Sequence, residues 1–291
     1  VTVLLTGATG FTGSYVLEEL LKAGHKVRCF VRPERKSFFE TRRDVETFSG
    51  NLEDPDSLTH ALRGMDALLN LASLGFGHAP GIVRAATEAR LGRFVCISTT
   101  AVFTTLYARS KIVRKEAEQA VMSSGLRYTI IRPTMIFGSS KDRNISRLIR
   151  YVIRHRILPV AGAGQSKQQP VYVQDLAGAI VSALDSDKAV SRAYNVSGER
   201  AITFSEMVDT IGTLTGRRVK MIHIPYRPIV KTLGVLEAIG FQLPLKAEQI
   251  ERLNEDKVFD HEDAVKDLAY RPRTFEEAIR LELAEMGVRS R

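Results

Sequence analysis

The chain has 291 residues, 44% hydrophobic and 26% charged, and its 42 Lys and Arg against 33 Asp and Glu give a formal charge of +9. With a mean hydropathy of −0.08, this length predicts one large α/β unit or about two domains and excludes disorder. No apolar run approaches the roughly 18 residues of a membrane span, and Val1–Leu5 reads as a strand rather than a leader, so a soluble, cytoplasmic protein is expected.

Short β-branched runs recur at Val1–Leu5, Lys26–Val31, Val45–Phe48, Ala67–Leu71, Arg93–Ile97 and Tyr128–Ile131. Helical patterns lie between most of them, at Tyr15–Lys22, Ser57–Leu62, Ile82–Ala89 and Ser110–Met122. Such alternation predicts βαβ units on a doubly wound, Rossmann-type parallel sheet. Asp56 and Ser57 are expected helix starts, and Gly24, Gly64, Gly92 and Gly125 expected stops. After Gly138 the alternation loosens into a smaller mixed C-terminal lobe. It has a helix over 144–155, a strand at Val171–Val173 and a helix capped by Asp175 and running to Leu184. A strand follows at Tyr194–Val196, then a helix opened by a Thr203/Glu206 capping box. The expected division is 1–138 for a dinucleotide-binding domain, with a strand returning near 193–197, and 139–291 for a substrate or partner lobe.

Cys29 and Cys96 sit in apolar runs and read as buried, reduced thiols. The six histidines show no metal-ligand spacing, so no metal site is expected. The positive charge favours a phosphate-bearing ligand or an acidic surface. Without a basic stripe interleaved with aromatics it does not point to nucleic acid.

The most specific signal is Thr6-Gly7-Ala8-Thr9-Gly10-Phe11-Thr12-Gly13, directly after the first strand and opening the first helix. Glycines there let the backbone turn tightly and approach a pyrophosphate, whose charge sits against the helix N-terminus. The alternative is a glycine turn with no ligand. At the end of the second strand, where an acidic residue would hold the ribose of NAD, stands Arg32, with Arg35 and Lys36 close behind. A guanidinium pairs with a 2′-phosphate, so NADP is favoured and NAD left open. A solvated basic loop is the bland reading.

Several segments occur in the order found in the extended short-chain dehydrogenases/reductases. They are TGATGFTG, GNLEDPDSL at 50–58, ISTTAVF at 97–103, Tyr107-x-x-x-Lys111, RPTMIFG at 132–138, QQPVYVQDLAGAI at 168–180 and YNVSGERAITFSEM at 194–207. With the tail FDHEDAVKDLAYRPRTFEEAI, the resemblance covers nearly the whole chain. That family includes nucleoside-diphosphate-sugar epimerases and dehydratases. QQPVYVQDLA and the compact middle look more like its atypical branch, with the accessory dinucleotide-binding subunit of respiratory complex I and the NmrA-like proteins.

The resemblance implies cofactor contacts at Gly7, Thr9, Gly10, Phe11, Thr12 and Gly13, at Asn51 and Leu52 by the adenine, and at Leu71, Ala72 and Ser73 by the nicotinamide ribose. Pro133 and Ile136 match the segment bordering the nicotinamide. Thr99, Tyr107 and Lys111 match the catalytic positions. A lysine ammonium lowers a tyrosine pKa, so Tyr107 would serve as acid or base while Thr99 orients the reacting oxygen and Lys111 also holds the ribose. There are two departures. Thr99 and Tyr107 are eight residues apart, where the family has twenty-odd between them, although the seven-residue loop spans roughly 23 Å. Thr100 and Ala101 replace the Asp-Glu pair of 4,6-dehydratases, which argues against dehydration.

Arg143, Arg147, Arg150 and Arg154 form one stripe of a helix whose other face is apolar. The bland reading is a solvated face. The sharper ones are a diphosphate pocket at its start, an acidic membrane surface or a protein partner, with Arg143 and Asn144 as substrate contacts. Ile229–Leu245 is apolar and reads as core helices, or as a cap over an apolar substrate or a membrane contact. The expectation is an NAD(P)-dependent oxidoreductase or epimerase-like enzyme, monomeric or homodimeric, acting on a hydroxyl- or carbonyl-bearing small molecule, nucleotide sugars included. The alternative is a non-catalytic NAD(P)-binding redox sensor or accessory subunit.

Overall fold

In the computed structural model the described residues are 1–106, 109–238, 251 and 254–290. The first half runs β1 (Thr2–Thr6), α1 (Phe11–Lys22), β2 (Lys26–Val31), β3 (Glu46–Ser49), α2 (Pro55–Ala61), β4 (Ala67–Asn70), α3 (Ala79–Glu88), β5 (Arg93–Ile97), α4 (Arg109–Met122) and β6 (Tyr128–Pro133). The second half adds β7 (Ile136–Phe137), α5 (Ile145–Arg154), β8 (Ile157–Ala161), β9 (Lys167–Gln168), β10 (Val171–Tyr172), α6 (Val173–Asp185) and β11 (Arg192–Val196). After these come β12 (Ile202–Thr203), α7 (Phe204–Thr215), β13 (Lys220–Ile224), α8 (Tyr226–Ala238), α9 (Glu262–Leu268) and α10 (Phe275–Glu285).

These elements form two compact units, each discontinuous in sequence. The first comprises Val1–Thr134, Val173–Val196 and Asp260–Arg271; the second comprises Met135–Tyr172, Ser197–Phe259 and Pro272–Arg291. In the first unit seven parallel strands lie in the order β11-β6-β5-β4-β1-β2-β3. The sequential direction reverses between β1 and β4, and in doubly wound sheets it is outside the carboxyl ends of the strands at such a point that ligands bind. β4 is buried along its whole length, as expected of a parallel strand covered on both faces. Leu4, Leu68, Phe94, Ile82 and Leu58 meet in the core on one face of the sheet.

Local chemistry sets most boundaries. Gly24, Gly64 and Gly125 take left-handed φ values of +81°, +74° and +73° after α1, α2 and α4. Gly92 does not end α3; Arg90 takes the left-handed position at φ 49°. The start of α2 is also not where the sequence put it, since the Asp54 carboxylate accepts from the Asp56 and Ser57 amides and caps the helix. Asp175 lies inside the first turn of α6 rather than capping it. The capping box at Thr203 and Glu206 is present, with both reciprocal hydrogen bonds formed.

The second unit packs α5, α7 and α10 around Phe137, Ile149, Leu158, Val160, Ile211 and Ile279. Its strands form three pairs: β7 with β10, β9 with β12, and β8 with β13. The pairs β7–β10 and β8–β13 are parallel and β9–β12 is antiparallel. Of the apolar segment 229–245, residues up to Ala238 belong to α8, and 239–245 lie outside the described residues. No helix among the described residues is long and apolar enough to cross a membrane.

Candidate functional site

The glycine turn closes on itself at the carboxyl end of β1. Gly7 sits at φ +74°, and its carbonyl accepts from the Gly10 amide at 2.9 Å. A Cβ on Gly13 would lie 2.0 Å from that same carbonyl oxygen, so a side chain at Gly13 would force the turn apart. Gly10 caps α1 without a side chain, and the first turn carries no acidic residue. The leading amides of a twelve-residue helix therefore face outward beside the positive end of its dipole, which is the arrangement that binds phosphate.

β4 delivers its exit to the same place. A Cβ on Gly7 would meet the Leu71 carbonyl carbon at 3.2 Å and the Ala72 nitrogen at 3.3 Å. Beneath them the Thr6 hydroxyl donates to Asn70 Oδ1 at 2.6 Å, and Asn70 Nδ2 donates to the Ala72 carbonyl at 3.1 Å. This buried polar link holds the two strand ends on either side of the switch point together. Sequence reasoning missed it, although an Asn closing an apolar strand was a visible signal. Ser73 Oγ accepts from the Gly75 amide at 3.2 Å and caps the turn that follows.

Arg32, Arg35, Asn51 and Leu52 lie just past the ends of β2 and β3, on the same edge of the sheet. The Gly50 amide donates to the Val31 carbonyl at 2.9 Å and fixes the two exits side by side. Arg32 is 62% exposed along its side chain and rests 3.3 Å from the Glu34 carboxylate. The Arg35 guanidinium lies 5.9 Å from the Phe38 ring centre. Asn51 is engaged locally, its amide bonded to Glu53 through both Oδ1 and Nδ2. Leu52 is partly buried and packs against the core.

Of the catalytic candidates, Thr99 and Lys111 flank one tight turn after β5. Thr99 Oγ1 accepts from the Ala101 amide at 3.2 Å and opens a 3-10 turn over Thr100–Phe103. Thr100 Oγ1 donates to the carbonyl of Pro133, the last residue of β6, at 3.3 Å. At the far end of the turn Lys111 Nζ donates to the Thr104 carbonyl. Tyr107 lies outside the described residues, and the helix bearing Lys111 begins at Arg109. Sequence reasoning also missed what locks α4 in place. Arg132 and Glu118 form a buried bidentate pair with distances of 2.6–3.1 Å, and the Arg132 guanidinium stands 5.1 Å from the Phe103 ring centre. Strand β6, helix α4 and the turn after Thr99 are thus tied by one side chain.

Ile136, Arg143 and Asn144 belong to the second unit. Arg143, ahead of α5, and Arg147 and Arg154 on it are exposed, whereas Arg150 donates to the Ser140 carbonyl and Ser146 Oγ. The start of α5 already holds an anion. The Asp142 carboxylate accepts from the Asn144 and Ser146 amides at 2.8 and 3.1 Å, which removes the reading of a diphosphate pocket there. Glu282, on α10, is wholly buried. Neither of its carboxyl oxygens has a hydrogen-bond partner among the described residues. Burial, reinforced by the Asp142 carboxylate, pushes its pKa from 4.5 up to about 10.

Both cysteines are free and buried; burial pushes the Cys29 thiol up to about 12 and the Cys96 thiol upward as well, so neither supplies a thiolate. Among the described residues no group of three or more His, Cys, Asp or Glu could hold a metal.

A glycine-rich turn opening a helix at the switch point of a parallel sheet defines a dinucleotide-binding α/β protein. Residues 7–187 match the NAD(P)H-binding family, and the chain belongs to it. It is 26% identical over 278 residues to the Arabidopsis thaliana protein "NADH dehydrogenase [ubiquinone] 1 alpha subcomplex subunit 9, mitochondrial", an alignment spanning 86% of this chain and 69% of that one. It is 28% identical over 250 residues to a ceramide reductase of Caulobacter vibrioides, covering 80% and 76% of the two chains. Among solved structures, UDP-glucuronic acid 4-epimerase from Bacillus cereus, in complex with UDP-glucuronic acid and NAD, superimposes with a TM-score of 0.77 at 16% identity over 99% of both chains. The resemblance to the extended short-chain dehydrogenases/reductases stands, and the fold is that of NAD(P)-binding oxidoreductases and epimerases.

Proposed function

We propose that this chain is an NAD(P)-dependent oxidoreductase acting on a hydroxyl- or carbonyl-bearing small molecule, with NADP as its cofactor. The observation that carries the reading is the open N-terminus of α1, approached so closely by Gly7 and Gly13 that a Cβ on Gly13 would lie 2.0 Å from backbone oxygen. That cradle fits a pyrophosphate, contacted from Gly7, Thr9, Gly10, Phe11, Thr12 and Gly13. Arg32 is the ligand for the 2′-phosphate, with Arg35 beside it. Its contact with Glu34 is an exposed ion pair of small worth and exchanges readily for a phosphate. Asn51 and Leu52 border the adenine. Leu71, Ala72 and Ser73 line the ribose side, and Pro133 and Ile136 the nicotinamide.

When bound, the nicotinamide supplies the hydride chemistry. Thr99 already accepts a hydrogen bond from the Ala101 amide, which leaves its hydroxyl proton to donate to the reacting oxygen of the substrate. Tyr107 transfers the proton, and the Lys111 ammonium favours its phenolate form. One Lys111 hydrogen is given to the Thr104 carbonyl; two remain for ribose hydroxyls. Arg143 and Asn144 contact the substrate. An accessory role without turnover is the second reading, favoured by the eight-residue separation of Thr99 and Tyr107 and by the likeness to a respiratory-complex subunit.

Parallel fluorescence titrations with NADPH and NADH test the cofactor, and Tyr107→Phe tests turnover. NADPH is expected to bind more tightly, and the variant to lose turnover while keeping cofactor affinity within a few-fold. Tighter NADH binding would overturn the Arg32 assignment, and unchanged turnover would overturn the role of Tyr107.

A further inference from the structure

A parallel sheet is ordinarily covered on both faces. The pair β8–β13 in the second unit departs from this. Leu158 and Val160 point into the core, and the pleat sends Ile157 and Pro159 the other way. In register with them, Lys220 stands opposite Ile157, Ile222 opposite Pro159 and Ile224 opposite Ala161. Ile157, Ile222 and Ile224 are 51%, 45% and 40% exposed, so three isoleucines share one uncovered face. At the carboxyl ends of the strands the face runs into a cleft of about 610 Å³, lined by Ala163, Ile224, Pro225, Tyr226, Arg227 and Pro228 among others.

The two strands and their flanking residues carry charge of one sign. Residues 154–163 and 216–231, which contain both strands and their flanks, hold seven Lys and Arg and no Asp or Glu. Arg156 and Lys220 open the two strands, joined by a hydrogen bond from the Lys220 amide to the Arg156 carbonyl at 2.8 Å. Arg217, Arg218 and Arg227 are exposed as well. A purely apolar protein partner would have to desolvate these cations without compensation. An interface of acyl chains beneath anionic headgroups accepts the isoleucines and the cations together.

We propose that the outer face of β8–β13 docks this protein on a bilayer surface bearing anionic lipids. The isoleucines enter the headgroup boundary while Arg156, Arg218, Lys220 and Arg227 sit among the phosphates. Attachment is peripheral and reversible, and it weakens with salt. It does not depend on turnover.

The test is co-sedimentation of the full chain with vesicles of phosphatidylcholine alone and of phosphatidylcholine mixed equally with phosphatidylglycerol. Binding is expected on the mixed vesicles and at least about tenfold weaker on phosphatidylcholine. Arg218→Ala with Lys220→Ala should lower partitioning on the mixed vesicles by roughly thirtyfold. Ile222→Ser with Ile224→Ser should weaken binding at high salt, where the charge contribution is screened. All four positions are exposed, and an unchanged melting temperature and NADPH titration confirm intact variants. Equal binding to both vesicles, no binding to either, or wild-type binding by the serine variant overturns the proposal. So does concentration-dependent self-association that the serine substitutions abolish without any vesicle binding, since a second copy of the chain then covers the face.

Discussion

Glu282→Gln removes a carboxyl group that the second unit buries in its neutral form. The ordinary pKa of 4.5 is raised to about 10 by burial and by the neighbouring Asp142 carboxylate. A raised pKa in the folded state means that folding takes up a proton. The stability linked to the carboxyl is whole below pH 4.5 and is lost progressively as pH climbs toward 10. At pH 7 the loss already spans two and a half pH units, which at about 1.4 kcal/mol each comes to about 3–4 kcal/mol. Glutamine has nearly the same shape and does not titrate, and its buried amide costs a similar amount at every pH. The informative quantity is therefore the slope. Urea unfolding of wild type and variant at intervals from pH 5 to pH 9 should show the variant gaining stability over wild type by about 1.4 kcal/mol per pH unit. A difference that stays flat across that range would show that Glu282 is ionised in the folded protein and refute the reasoning.

Gly13→Ala places a Cβ 2.0 Å from the Gly7 carbonyl oxygen; NADPH binding, followed by fluorescence, should be abolished while the far-ultraviolet circular dichroism persists. Arg32→Ala should weaken NADPH binding about tenfold or more, the value of a charge-assisted hydrogen bond, and leave NADH unchanged; equal losses for both would detach Arg32 from the 2′-phosphate. Glu118→Gln leaves the Arg132 cation buried without its partner and should cost about 3–5 kcal/mol in thermal or urea unfolding. Adding Arg132→Met should recover part of that loss, because no cation is then left buried without its counter-ion.

The fold class was legible because its signals are local. Alternating strand and helix periods, the glycines after α1, α2 and α4, and the turn at 6–13 each act over a few residues, and burial on both faces makes strands such as Ala67–Asn70 read as unbroken apolar runs. The Thr203/Glu206 capping box is local in the same sense. Where a neighbour competes for the same role, local signals misplace the boundary. Asp54 caps α2 ahead of Asp56 and Ser57, and Arg90 takes the left-handed position that Gly92 was expected to fill. β8 and β13 were not foreseen at all: short parallel strands 63 residues apart in register carry no sequence mark of their pairing.

By itself, then, the sequence determined the glycine turn that opens α1, since its closing Gly10–Gly7 hydrogen bond spans only three residues. Tertiary structure alone decided which polar groups are buried together. The Thr6–Asn70 link joins residues 64 positions apart, the Glu118–Arg132 pair joins a helix to a strand across the turn after Thr99, and Asp142 meets Glu282 from the far end of the chain. Each depends on two charged or polar groups being desolvated together, and desolvation is a property of the packed interior rather than of any stretch of sequence.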